Sequence, residues 1–109
     1  MKHALGEFEE IVLLLVAAQH DQAYGLSITQ AIGETLNRSV TLSSVHTSLY
    51  RLEEKGFVES RVGGSSSRRG GRRKRLFVIT SLGKSALIES KDARLQLWNM
   101  IPSTLIEVS

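Results

Sequence analysis

The first half of the chain opens with a segment whose hydrophobic pattern predicts a helix over residues 6–19. Residues 11–18 are apolar without interruption, so this helix has no polar face along its middle. A strand would also suit the branched residues, but the helix-forming Glu7-Phe8-Glu9-Glu10 leads directly into them. One small core cannot cover such a helix. We therefore expect it to contact a second copy of the chain through Phe8, Ile11, Val12 and Leu15; the alternative is a central helix buried within one protomer.

Two further helices are predicted before the middle of the chain. Apolar residues at four-residue spacing place one helix over residues 26–36, with the segment 37–40 as its end. The other spans residues 42–55, with Thr41 as its N-cap and Gly56 ending it in a left-handed conformation. Its apolar positions should face inward. Its polar positions, on the opposite face or beside it, are Ser43, Ser44, Thr47, Tyr50, Arg51 and Glu54.

The polar face of this third helix is a candidate for reading DNA. Small hydroxyl side chains at an exposed helix N-terminus let the helix approach base edges closely in the major groove. The alternative is an ordinary amphipathic helix whose solvent-exposed face is polar. The pattern further along the chain favours the DNA-binding interpretation.

Alternating residues after the third helix predict two strands, at 57–62 and 76–80, and a fourth helix follows at 81–100. Thr80 can cap this last helix, and Pro102 would end or kink it. The helix comes after the core elements are complete, so we expect it to pack on a partner protomer. The residues that we assign to this contact are Leu95, Trp98 and Ile101.

Charge is concentrated between the two predicted strands. Seven of the 14 basic residues lie in residues 61–75, which contain no acidic residue, and the rest of the chain has seven basic residues against eleven acidic ones. A helix followed by two strands and a flexible basic loop is typical of a winged helix-turn-helix that contacts nucleic acid phosphates. We assign the wing to residues 63–75 and its contacts to Arg68, Arg69, Arg72, Arg73, Lys74 and Arg75.

The amino-acid composition limits which other kinds of site and which other classes of protein are compatible with the chain. The chain has 109 residues and no cysteine, which excludes disulfides and thiolate metal sites and is compatible with the cytoplasm. The longest apolar run has eight residues, far from the roughly 20 that a membrane span needs. The three histidines fall in separate elements, and no catalytic set can be assembled, so we expect no metal, no cofactor and no enzyme. We interpret the adjacent pairs Glu9-Glu10 and Glu53-Glu54 as solvated helix faces.

Four segments in register resemble PadR-type transcriptional regulators. They are Leu5-Gly6-Glu7-Phe8-Glu9 with Ala23-Tyr24-Gly25-Leu26-Ser27-Ile28, then residues 49–58, the basic segment 69–77, and Ile79-Thr80-Ser81-Leu82-Gly83. The resemblance covers residues 5 to about 90, and a single helix after the wing is similar to the shorter subgroup of the family. Two departures stand out: His46 occupies a position where the family usually has tyrosine, and the wing carries the extra segment 63–67.

The resemblance implies a mainly α fold with a small β-hairpin wing. Residues 1–80 would form the DNA-binding winged helix-turn-helix and residues 81–109 a C-terminal dimerisation helix, within one compact domain. It also implies a homodimeric repressor that binds double-stranded DNA. A protein- or RNA-interaction module remains the alternative. Some family members hold flat aromatic compounds between their last helices, so Trp98 could stack on such an effector or simply anchor the dimer.

Overall fold

Three helices, a β-hairpin and a long fourth helix follow one another in a computed structural model, which describes residues 5–63 and 74–106. All the predicted elements are present, with bounds that differ from the expected ones by one or two residues. In chain order they are α1 (Glu7–Ala18), α2 (Gly25–Leu36), α3 (Leu42–Glu54), β1 (Val58–Val62), β2 (Arg75–Ile79), α4 (Ser81–Trp98) and α5 (Ser103–Ile106). This mainly helical chain with a two-stranded antiparallel hairpin has the predicted winged helix-turn-helix architecture.

The C-terminal end differs most from the expectation. We expected the last helix to reach residue 100, but α4 stops at Trp98, where Asn99 is its C-cap. The short helix α5, which begins just after Pro102, was not predicted. Proline lacks a backbone N–H and fixes its own φ, so it suits the start of a new helical turn better than the continuation of an old one.

Local capping explains where the helices begin and end. The Thr41 hydroxyl accepts a hydrogen bond from the Ser44 amide at 3.0 Å, and the Thr80 hydroxyl accepts one from the Gly83 amide at 3.0 Å. Both threonines therefore act as the predicted N-caps. Gly56 has a φ of 82°, which confirms the left-handed conformation expected after α3.

The core lies where α1, α2 and α3 meet the hairpin. Each helix contributes an apolar stripe, and β2 closes the core with the fully buried ring of Phe77. A residue that is wholly buried in its own chain has no surface for a partner, and Val12 is one of these, so its assignment to the dimer contact is wrong. The buried apolar residues are Val12, Leu13, Val16, Ala23, Ile28, Ile32, Val45, Leu49, Leu52, Phe57, Val58 and Phe77.

The hairpin is fixed to the helical part of the molecule. Its strands pair from Val58 opposite Ile79 to Val62 opposite Arg75. Phe77 also donates its amide to the carbonyl of Ala23 at 2.9 Å, forming an isolated bridge with the segment before α2. The root of the wing and the start of α2 are therefore held together by backbone as well as by packing.

The fourth helix is attached at its beginning and exposed toward its end. Gly83 is its only buried residue, and a β-carbon there would overlap the carbonyl oxygen of Phe57. The helix then crosses α1. Every residue from 91 to 100 is exposed, as expected for a helix that has little to pack against in its own protomer.

Candidate nucleic-acid interface

The residues predicted to read DNA lie along the surface of α3. Ser43, Thr47 and Arg51 are exposed, Ser44 is half-buried, and the ring of Tyr50 keeps 48% of its surface accessible. The opposite face of the helix is buried through Val45, Leu49 and Leu52. The amphipathic arrangement expected for α3 is thus present.

Two hydroxyl groups on this surface are already engaged with the helix backbone. Ser44 Oγ donates to the Thr41 carbonyl at 2.9 Å, and Thr47 Oγ1 donates to the Ser43 carbonyl at 3.0 Å. A carbonyl oxygen can only accept, so the proton in each bond must come from the side chain. These bonds fix the orientation of both side chains at the N-terminal half of α3.

Tyr50 occupies the junction between α3 and the hairpin. Its ring meets the ring of Phe77 edge-on, with centroids 6.4 Å apart, and lies 6.0 Å from the ring of His46 one turn earlier. His46 in turn packs so closely on Gly25 that a β-carbon at Gly25 would overlap the imidazole. The glycine therefore lets the histidine fit between α2 and α3.

The two described basic residues of the wing are both held by neighbouring side chains. Lys74 Nζ lies 4.3 Å from the centroid of the Tyr24 ring, within range of a cation–π interaction. Arg75 Nη1 donates to Ser60 Oγ at 2.9 Å, and Ser60 Oγ donates to Glu53 Oε2 at 2.7 Å. The other four predicted wing contacts, Arg68, Arg69, Arg72 and Arg73, lie outside the described residues.

Glu9, at the N-terminal end of α1, is not the solvated residue that we expected. Its Oε1 accepts from Lys55 Nζ at 2.7 Å and from the Gly6 amide at 2.9 Å, and the side chain is buried. Burial by itself raises the pKa of this carboxyl, but the bonds from Lys55 and Gly6, with the nearby charge of Arg51, outweigh it and lower the pKa. The ion pair joins α1 to the C-terminal end of α3.

Glu10 is also engaged, on the other side of α1. Its carboxylate accepts from Arg94 Nη2 at 2.7 Å and from Ser90 Oγ at 3.1 Å. The bond from Arg94 is the largest effect on the pKa of Glu10 and lowers it; burial opposes this, and the Ser90 bond adds to it. Glu53 bonds to Ser60, so of the two acidic pairs only Glu54 is an exposed side chain as expected.

The predicted dimer residues divide into two groups. Phe8, Ile11 and Leu15 are half-buried against the core, and Arg38 lies over the ring of Phe8 at 5.6 Å. Leu95 and Trp98 are exposed, and Ile101 is half-buried. Leu14, with 50% of its surface accessible, is the only large apolar residue of α1 that is exposed. Sequence reasoning missed it, although it lies within the uninterrupted apolar run.

An apolar groove runs between α1 and α4 on this side of the molecule. Its volume is about 410 Å³. Trp98 lines it and keeps 56% of its surface accessible. Arg94, which bonds to Glu10, forms part of the polar rim. The lining residues are Glu10, Leu14, Leu87, Ile88, Lys91, Arg94, Leu95 and Trp98.

The described part of the chain contains neither a metal-binding cluster nor a helix that could span a membrane. Over residues 5–63 and 74–106, no group of three or more histidine, aspartate or glutamate residues could hold a metal ion. None of the helices in those ranges has both the length and the hydropathy to cross a membrane.

A family model of transcriptional regulators, described as PadR-like, matches residues 12–89. The chain belongs to the PadR-like family. This match confirms the resemblance found in the four segments, and it identifies the chain as a member of a family of transcriptional regulators rather than enzymes. No curated protein matches the chain significantly.

Solved structures of PadR-like proteins share this fold. A PadR-like regulator from Bacillus cereus superposes with a TM-score of 0.71 at 20% identity, covering 94% of this chain and 93% of the other. A PadR-like transcription factor from Bacteroides fragilis gives a TM-score of 0.70 at 24% identity, with coverages of 85% and 84%. Bacillus subtilis PadR, solved with operator DNA, gives 0.64 at 23% identity, covering 75% of this chain and 45% of that PadR.

Proposed function

We propose that this PadR-like regulator is a homodimeric repressor that binds an operator in double-stranded DNA. In this proposal α3 enters the major groove, the basic wing contacts the backbone or the minor groove, and dimers form through α1 and α4. The cytoplasm is where such a repressor would meet its operator. Binding over a promoter would block transcription, which is the simplest regulatory outcome of operator binding.

The observation that carries the DNA-binding part is the continuity between the polar surface of α3 and the root of the wing. Tyr50 on α3 touches Phe77 of β2, two residues after Arg75. His46, one turn from Tyr50, packs on Gly25, whose neighbour Tyr24 lies against Lys74. A rigid link of this kind would let base contacts from α3 and phosphate contacts from the wing form together.

The dimer part rests on the exposed apolar surface of α4. Leu97 keeps 64% of its surface accessible, Leu95 and Trp98 are also exposed in the last turn of the helix, and Met100 is exposed just after it. A two-fold arrangement buries the same patch on both copies, so one surface supplies both sides of the interface. The groove beside Trp98 is continuous with this patch and would be closed by the second copy.

Selection of bound sequences from a random duplex pool, at a stated salt concentration, tests the proposal. We expect a site with two-fold symmetry, because two recognition helices related by a dimer axis contact two half-sites. A site without symmetry would contradict the dimer, and no enrichment would contradict operator binding. The same experiment with an RNA pool tests the alternative module, since preferential capture of RNA would replace the proposal.

The salt dependence of binding tests the wing. Replacing Arg72 and Arg73 together by alanine should weaken specific and non-specific duplexes alike. The slope of log affinity against log salt should become shallower by about 0.9 for each phosphate that the variant no longer neutralises. Lys84→Ala, a change to an exposed lysine in the first turn of α4, is the matched control. If the double variant binds as tightly as wild type at the same salt concentration, the wing assignment is wrong.

A flat aromatic effector is a second proposal about the Trp98 groove. Trp98 is the only tryptophan of the chain, so the indole fluorescence reports on its surroundings in this groove. Planar aromatic cations should quench it saturably and weaken DNA binding if the groove holds an effector, with Trp98→Phe as the control. If quenching is absent and Trp98→Ala is monomeric, Trp98 is a dimer anchor only.

A further inference from the structure

The Thr47 side chain can make only certain kinds of contact with a ligand that binds α3. It is exposed, and its Oγ1 donates the single hydroxyl proton to the carbonyl of Ser43. A hydroxyl has one proton and two lone pairs. With the proton directed at the backbone, the side chain can offer only an acceptor oxygen and a methyl group. Ser44 is oriented similarly by its bond to the Thr41 carbonyl, but it has no methyl group.

The four base-pair arrangements differ in how well they match such a side chain. In the major groove the amino groups of adenine and cytosine are donors, guanine shows only acceptors, and thymine alone carries a methyl group. An A·T pair therefore offers both an amino donor for the Thr47 oxygen and a methyl group for the Thr47 methyl. A G·C pair also offers an amino donor, on its cytosine, but it lacks the methyl group, and its guanine edge would face the Thr47 lone pairs with further acceptors.

We infer that Thr47 is a specificity-determining residue that selects an A·T pair in each half-site of the operator. The inference rests on the proposed function, because it requires α3 to lie in the major groove. Arg51, one turn further along α3, carries only donors and is suited to guanine. The two residues would thus read different base pairs, and the position opposite Thr47 is the one that favours A·T over G·C, because only thymine supplies the methyl group.

Two substitutions separate the two parts of this interaction. Thr47→Ser keeps the hydroxyl and removes the methyl group, whereas Thr47→Val keeps a methyl group and removes the hydroxyl. Thr29→Ser is the matched control, since the Thr29 hydroxyl makes the same kind of bond, to the Gly25 carbonyl at 2.8 Å, but lies on α2. Circular dichroism of each variant establishes that the fold is unchanged.

The DNA is altered in the same two ways, in the operator obtained by selection. Deoxyuridine in place of thymidine removes only the 5-methyl group, and deoxyribosylpurine in place of deoxyadenosine removes only the 6-amino group. With the change made at the A·T position of one half-site and the other half-site left intact, the affinity of wild type should fall about fourfold for the first change, as expected for one buried methyl group. It should fall about fivefold for the second, as expected for one hydrogen bond.

Each Thr47 variant should be insensitive to one of the two changes in the DNA and sensitive to the other. Thr47→Ser should bind the thymidine and deoxyuridine operators equally while still responding to the removal of the amino group. Thr47→Val should show the reverse. If Thr47→Ser distinguishes thymidine from deoxyuridine as wild type does, or if guanine is preferred at the mapped position, the inference is wrong although operator binding stands. If no duplex is enriched in the selection, the proposed function itself fails.

Discussion

Tyr50 on α3 and Trp98 on α4 are exposed to similar extents, 48% and 56%, but they belong to different kinds of surface. The Tyr50 ring contacts two rings of its own chain, and α3 buries four residues beneath it. Trp98 lines an open apolar groove, and α4 buries only Gly83. An exposed aromatic side chain on a well-packed helix is available to a polar ligand. One on a sparsely packed helix is suited to a partner's apolar surface.

The largest expected effect on stability compares a buried leucine of α3 with an exposed leucine of α4. Leu49→Ala removes a fully buried side chain of α3 and should lower the free energy of unfolding by about 2–5 kcal/mol, because it leaves a cavity in the core. Leu82→Ala makes the same change at an exposed position in the first turn of α4, outside the proposed dimer patch, and is the control. Urea denaturation of both variants measures the difference. Equal decreases would show that α4 is as well packed as α3.

The next effect distinguishes the two aromatic residues. Trp98→Ala should weaken dimerisation by about 30-fold or more, as expected when a tryptophan anchor of an interface is truncated. Sedimentation equilibrium measures the change. Tyr50→Ala is the matched variant: it should leave the dimer intact and alter the selected DNA sequence. If Tyr50→Ala dissociates the dimer and Trp98→Ala does not, the assignment of the two surfaces must be exchanged.

A smaller effect concerns the ion pair that joins α1 to α3. Lys55→Met should lower the free energy of unfolding by about 1–3 kcal/mol, because the buried carboxylate of Glu9 loses a charged donor. Lys84→Met, at an exposed lysine of α4, is the control. Thermal unfolding at neutral pH measures both, and similar melting temperatures for the two variants would contradict the prediction.

The same pair predicts a pH dependence. The pKa of Glu9 is lowered in the folded chain from its ordinary value of 4.5. Its stabilising contribution is therefore complete above about pH 4.5 and is lost as the pH falls through the folded-state pKa. Wild type should consequently be more stable than Glu9→Gln at pH 7, and the difference should shrink in acid. A difference that grows as the pH falls would contradict this sign.

The smallest effect is expected for the ion pair between Glu10 and Arg94. Arg94 is well exposed, so solvent screens the pair, and Glu10→Gln should change the free energy of unfolding less than Lys55→Met does. Its influence should appear instead in dimerisation, because Arg94 lies on the same helix as Trp98. A decrease in stability as large as that of Lys55→Met would contradict the screening argument.

The elements of the fold could be predicted because their signals are local. Thr41, Thr80 and Gly56 act within one turn of the residues they cap, and the apolar stripe of α3 follows from helical spacing. The polar surface of α3 could be predicted for the same reason. Local spacing cannot, however, show how a helix is rotated against its neighbours. Leu14 and Val12 are two residues apart in one apolar run, yet only Leu14 is exposed.

The interactions that were not predicted connect distant parts of the sequence. Glu9 and Lys55 are 46 residues apart, and Glu10 and Arg94 are 84 apart. The acidic pair in α1 has the composition of a solvated face, and only the fold shows which cations lie beside it. The interaction between Lys74 and Tyr24 is of the same kind, because it depends on the bridge that brings β2 beside the start of α2.

The tight packing at Gly83 fixes the N-terminal end of α4, and the rest of the helix could tilt about this point. The helix is fixed at this glycine, where a side chain would collide with Phe57, and its far end is exposed. At 1.5 Å per residue, Trp98 lies about 22 Å from Gly83, so a tilt of α4 by about 5° would displace Trp98 by about 2 Å. The hydrogen bond from Arg94 to Glu10, close to the far end of the helix, would oppose that tilt. In the proposed dimer, a small change in the angle of α4 at Gly83 would therefore change the separation of the two α3 helices.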